Sequence, residues 1–161
     1  MMHRLFWGLF FVLLDIDLTV GRATFEILPD FVGFFLLMKG MEDLAGTVPR
    51  FEKGRHVAFG LFLAGAVCYG GQLLNLEPMT KVMFWALEFG CLAVFLWLLR
   101  AIVADCGEQV KGLWLIVAVV EVLSALLNWV PLVGGICGAA ALVTAIVFLL
   151  AYWKEIKRSA D

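Results

Sequence analysis

Histidine, serine and charged residues are scarce in this chain of 161 residues. It has two histidines, His3 and His56, and two serines, Ser124 and Ser159, and only 16% of its residues are charged. The chain has too few serines and histidines for a Ser-His-Asp triad, an HExxH metalloprotease helix or a multi-histidine metal site. No other catalytic motif is recognisable, so we expect a protein that is not an enzyme and that carries no cofactor.

Net charge and cysteine spacing exclude two further classes. The formal charge is −2, from 12 basic and 14 acidic residues, which indicates no nucleic-acid partner. The four cysteines are widely separated and form no CxxC pair, so they are expected to be small buried apolar residues rather than a redox or zinc site. They are Cys68, Cys91, Cys106 and Cys137.

Apolar residues, in contrast, are abundant. They make up 63% of the chain, against about 45–50% in ordinary soluble proteins. The mean hydropathy is +0.99. A soluble fold of this length cannot bury so many apolar side chains, whereas lipid accepts them on every face of a helix. The composition predicts an integral membrane protein.

Long apolar runs divide the chain into predicted helices. Crossing a hydrocarbon layer of about 30 Å takes about 20 apolar residues. The runs predict an all-α fold, a polytopic membrane helix bundle of six helices that forms a single transmembrane domain over residues 1–161. The predicted helices cover residues 5–20, 29–45, 57–76, 82–104, 111–130 and 132–153.

The first two predicted helices are short for a bilayer and leave two alternatives open. They could both span the membrane, with Lys39 extending toward the interface, or they could form a re-entrant hairpin that returns to its own side. Either arrangement leaves the later helices in the same orientation.

The basic residues predict the orientation. If all six helices span, ten lysines and arginines fall on one side and only two, Arg22 and Lys81, on the other. This asymmetry indicates cytoplasmic N- and C-termini. We therefore expect a multi-pass protein of a bacterial cell (inner) membrane.

Glu121 is the most informative single residue. It lies in the middle of the fifth predicted helix, where an acidic side chain is costly unless it meets protein or water. Ser124 and Asn128 follow at i+3 and i+7 and form one polar face with it. Two interpretations remain open: a functional carboxylate, or a protonated glutamate that only hydrogen-bonds a neighbouring helix.

Two other predicted helices carry similar polar positions. Glu88 lies in the fourth helix, and the third carries Gln72 and Asn75 on a stripe of small and polar residues. If the three polar faces converge, they form a cavity with two carboxylates on its walls, suited to binding a small solute, a cation or a proton.

The start of the chain offers a weaker metal site. Asp15, Asp17 and Asp30 are close in sequence, and carboxylate oxygens suit a hard cation such as Ca²⁺ or Mg²⁺. The alternative is an ion pair between Arg22 and an aspartate, together with N-terminal capping of a helix by Asp30.

Small residues follow one side of the sixth predicted helix. This pattern allows close helix approach, either within one subunit or in a homodimer. The stripe consists of Gly134, Gly138, Ala141 and Ala145. Separately, the basic segment 50–56 is expected to hold anionic membrane lipids.

The N-terminal quarter carries the motifs of a resemblance. Asp15-Ile16-Asp17-Leu18 is followed by Ile27-Leu28-Pro29-Asp30-Phe31-Val32-Gly33 and by Lys39-Gly40. Over residues 5–45 the chain resembles a group of small, uncharacterised multi-spanning membrane proteins of Gram-positive bacteria that carry an L-P-D-F-[IV]-G segment. The resemblance implies a membrane location and brings no activity with it.

The sequence thus predicts a small membrane protein that binds or transports a small solute, cation or proton through intramembrane carboxylates. The alternative is a non-catalytic membrane partner, or an assembly subunit of a larger complex.

Overall fold

The structure is a computed structural model, and it describes most of the chain. The backbone is described for residues 2–14, 17–20, 23–26, 30–73, 78–127 and 130–158. The side chains are described for residues 3–14, 30–70, 86–127, 130 and 132–158.

Helices dominate the described residues and confirm the predicted all-α bundle of six helices. They are α1 (Met2–Leu13), α2 (Asp30–Leu44), α3 (Arg50–Leu73), α4 (Pro78–Val103), α5 (Glu108–Leu127) and α6 (Pro131–Arg158). Helix α3 begins seven residues before its predicted start at residue 57, because a helix can continue with charged residues beyond the hydrocarbon layer.

Three of the described helices are long and apolar enough to cross a membrane. The spans are Ala86–Val103 in α4, Glu108–Leu127 in α5 and Leu132–Arg158 in α6. Residues His3–Leu13 of α1 are apolar but form a shorter segment. The chain therefore has the helices of a membrane protein.

The first predicted helix is wrong in its C-terminal part. Helix α1 ends at Leu13, and Asp17–Val20 instead form a strand, β1, paired with β2 (Ala23–Glu26). The pairing is antiparallel and joins Asp17 to Glu26, Leu18 to Phe25, Thr19 to Thr24 and Val20 to Ala23. Threonine, valine and phenylalanine favour extended backbone, and a link of two residues suits a tight hairpin.

The chain forms two compact units, residues Met1–Leu98 and Leu99–Asp161. In the first unit, glycines allow α1 and α2 to pack closely and antiparallel. A Cβ built at Gly33 would lie 2.5 Å from Val12 Cγ2, and one built at Gly40 would lie 2.8 Å from Leu5 Cδ2. One built at Gly8 would lie 2.8 Å from a backbone nitrogen of α2. Larger side chains at these glycines would force the helices apart.

Helix α2 also packs against α3 and α4. Phe31 lies beside Gly65 of α3, and the Met41 sulfur lies beside Gly54, so α2 and α3 run antiparallel. The rings of Phe34 and Phe95 meet edge to face with centroids 5.8 Å apart, which joins α2 to α4. Helix α2 is thus the centre of the first unit.

The second unit contains an antiparallel hairpin of α5 and α6. At one end the backbone N–H of Gly107, just before α5, donates to Glu155 Oε1 of α6 over 3.1 Å. Toward the other end, Ser124 Oγ of α5 would lie 3.9 Å from a Cβ built at Gly138 of α6. These two contacts fix the register of the hairpin.

Candidate functional site: carboxylates on apolar helices

Glu121 lies on the side of α5 that faces α6. It is half-buried and shares its side of the helix with Val117, which is fully buried, and with Ser124. The opposite side of α5 exposes apolar side chains such as Val119 and Leu126. The carboxylate therefore lies toward the hairpin rather than on the exposed apolar side.

The small-residue stripe of α6 faces this polar stripe of α5. Because Ser124 is level with Gly138 and the helices are antiparallel, Glu121 is level with Ala141. Ala141 is 7% exposed, Ala145 is fully buried and Gly134 is buried. These three residues are buried within the chain, whereas Gly138 is partly exposed. A homodimer through Gly134, Gly138, Ala141 and Ala145 stays a prediction.

Glu88 lies on the inner side of α4 in the first unit. It is half-buried and lies two turns before Phe95, which is 3% exposed and packs on α2. Cys91 lies one turn after Glu88 on the same helix and is also partly buried. Glu88 thus lies on the side of α4 that contains Phe95.

Glu88 and Glu121 both have interactions within the chain and remain partly accessible. Glu88, Glu121 and Asp30 each interact with at least one other residue. Among the described residues, no polar or charged side chain is fully buried. A carboxylate that is both held by protein and partly exposed can exchange a proton or contact a small cation.

Several predicted site residues lie outside the described side chains. These are Asn128, Gln72 and Asn75, and the two aspartates Asp15 and Asp17. The convergence of three polar helix faces therefore stays a prediction. Within the side chains that are described, no three metal-ligating groups come together.

An ion-pair cluster at the Arg4 end of the first unit was not anticipated. Arg4 Nη1 lies 2.9 Å from Asp43 Oδ2, and Lys39 Nζ lies 2.8 Å from Glu42 Oε2. The hydrogen bond and the charge of Lys39 lower the pKa of Glu42. The i,i+3 spacing of Lys39 and Glu42 in the sequence could have indicated their ion pair. The pair of Arg4 and Asp43 could not be predicted in this way, because the two residues are far apart in sequence.

Comparison with known proteins adds no relative. No family model, no curated protein and no solved structure matches the chain. The resemblance of residues 5–45 to the Gram-positive group stays a prediction.

Proposed function

We propose that the chain is a membrane protein that binds or transports a small solute, cation or proton through carboxylates within its helices. The observation that carries the proposal is the position of Glu121. A carboxylate in the middle of a spanning helix lies on the side that packs against α6 and is half-buried there. Carboxylates at this depth are costly and are most often found where a substrate, ion or proton moves.

The first unit supports the same chemistry through Glu88. Glu88 lies in the apolar span Ala86–Val103 of α4 and is half-buried there. A carboxylate in such a span is costly unless it meets protein, water or an ion, so Glu88 favours a proton or a cation at this position.

Proton flux into proteoliposomes tests the proposal. Purified full-length protein is reconstituted with a pH-sensitive dye inside, and a potassium diffusion potential drives the flux. We expect flux above that of empty liposomes, and we expect Glu121→Gln to abolish it. Glu88→Gln should lower it. Uptake of radioactive sodium under the same potential distinguishes a monovalent metal ion from a proton.

Glu108→Gln is the matched control. Glu108 is also a glutamate of α5, but its side chain is 91% exposed and lies 3.1 Å from Lys111 Nζ at the end of the helix. The control should retain the flux of the unchanged protein. Absence of flux for both cations, or equal flux for Glu121→Gln and Glu108→Gln, would contradict the proposal.

A second candidate function is that of a membrane partner or assembly subunit. The described residues of α5 include only two buried side chains, Val110 and Val117. The broad exposed apolar surface could contact the helices of a larger complex as well as lipid. This function predicts that Glu121→Gln is silent and that Leu126→Gln, on the exposed side, prevents co-purification of a partner.

Orientation and location form the last part of the proposal. We infer cytoplasmic termini in a bacterial cell membrane from the ten-to-two asymmetry of basic residues. Under this arrangement all six helices would span the membrane. Three of them are long and apolar enough to do so by length and hydropathy. Protease protection of terminal tags in membrane vesicles checks the orientation.

A further inference from the structure

One side of α3 is exposed along most of its described length. Its residues recur every three or four positions: Lys53, His56, Gly60, Leu63 and Val67. The opposite side packs inward through buried residues, among them Phe51, Ala58 and Leu61. The exposed side is therefore charged in the first turns of α3 and apolar further toward the C-terminal end of the helix.

The dimensions of this side match one phospholipid. Lys53 and Val67 are about 21 Å apart along the helix axis, at about 1.5 Å per residue. One leaflet contributes about 15 Å of hydrocarbon, so the remainder is left for a headgroup. A Cβ built at Gly60 meets nothing within 4 Å, so the apolar part is open at this position, and Leu63 beyond it is 49% exposed.

The charged part carries both signs. Glu52, Lys53 and His56 are all exposed, and within the described residues no ion pair uses any of them. A phosphate is attracted to Lys53 and can accept a hydrogen bond from His56. Glu52, beside them, repels a purely anionic headgroup and attracts an ammonium group.

We propose that this side of α3 binds an aminophospholipid, with its phosphate at Lys53 and His56, its ammonium at Glu52 and an acyl chain along the open surface at Gly60. The charges complement a zwitterionic headgroup, and the apolar residues beyond them provide the surface for the chain. This proposal does not depend on the intramembrane carboxylates.

Native mass spectrometry of the full chain in detergent tests the proposal with three lipids of identical acyl chains. Phosphatidylethanolamine should bind most tightly, followed by phosphatidylcholine, which lacks ammonium N–H donors, and then phosphatidylglycerol, which lacks a cation. Lys53→Gln should weaken all three about fivefold, as expected for one basic group near a phosphate. Glu52→Gln should remove the preference for phosphatidylethanolamine over phosphatidylglycerol.

Two further variants complete the design. Gly60→Leu places a bulky side chain on the open surface where the acyl chain would lie, and it should weaken binding of all three lipids while keeping their order. Lys157→Gln is the control, because Lys157 is also exposed near the end of a helix, with its ammonium 5.5 Å from the Trp153 ring. It should leave binding unchanged.

Three results would overturn the proposal. The first is phosphatidylglycerol binding at least as tightly as phosphatidylethanolamine to the unchanged protein. The second is equal affinity in Lys53→Gln and Lys157→Gln. The third is effective competition by glycerophosphoethanolamine, which has the headgroup without acyl chains, because this would indicate a small-molecule site instead.

Discussion

Gly33→Ala should destabilise the first unit, because this glycine lies where α1 and α2 are closest. The added methyl carbon would lie 2.5 Å from Val12 Cγ2, 2.9 Å from the Gly8 carbonyl oxygen and 3.0 Å from Phe11 Cβ. Carbon atoms at ordinary contact are about 3.5–4.0 Å apart. The side chain of Val12 can turn away, but the backbone oxygen of Gly8 can move only with its helix.

The expected loss follows from two opposing effects. Overpacking of this kind costs about 1–3 kcal/mol. Alanine is intrinsically better than glycine in a helix by up to about 1 kcal/mol, which offsets part of the loss. We therefore expect Gly33→Ala to lower the free energy of unfolding by about 1–2 kcal/mol.

Gly90→Ala separates these two effects. Gly90 lies within α4, and a Cβ built there meets nothing within 4 Å, so only the helix preference acts. This control should be neutral or stabilised by up to about 1 kcal/mol. Unfolding is measured by circular dichroism during titration of detergent micelles with dodecyl sulfate. Equal or greater stability of Gly33→Ala than of Gly90→Ala would refute the close packing of α1 on α2.

Two further predictions concern charged groups at helix ends. Glu155→Ala removes the acceptor of the Gly107 N–H and a negative charge near the start of α5. It should lower the free energy of unfolding by about 1 kcal/mol in the same titration. An unchanged free energy of unfolding would show that the contact contributes nothing to stability. Because Lys39 lowers the pKa of Glu42 below its ordinary 4.5, ionised Glu42 stabilises the fold above that pH, and the contribution is lost as pH falls through the lowered pKa. The stability difference between the unchanged protein and Glu42→Gln should thus be larger at about pH 7 than at about pH 3, and a difference that grows on acidification would reverse the sign of the argument.

The helices could be predicted from the sequence because lipid imposes a minimum apolar length. The fifth and sixth helices were predicted over residues 111–130 and 132–153. Their predicted starts lie within three residues of the observed first residues, Glu108 and Pro131. Lipid restricts composition only within the hydrocarbon layer, however. The sixth helix continues to Arg158 because lysine and glutamate are good helix formers in water.

The β1–β2 hairpin was missed for a different reason. Hydropathy does not distinguish a strand from a helix in a short apolar run, and Leu18-Thr19-Val20 continues the apolar stretch that begins at Leu5. The contrary signal is local: β-branched residues lie on both sides of Gly21-Arg22, a link of two residues with glycine first. Glycine at that position is typical of a tight hairpin turn and indicates a helix that ends before it.

The sequence predicted the parts of the candidate site separately, but it did not predict how they are arranged. The polar positions of α5 and the small residues of α6 were each visible as a periodic stripe, but their pairing depends on the hairpin register. Ser124 Oγ lies 3.9 Å from a Cβ built at Gly138, which indicates that register and puts Glu121 level with Ala141. The two stripes therefore lie opposite each other in the hairpin, so a small residue of α6 lies level with the glutamate of α5.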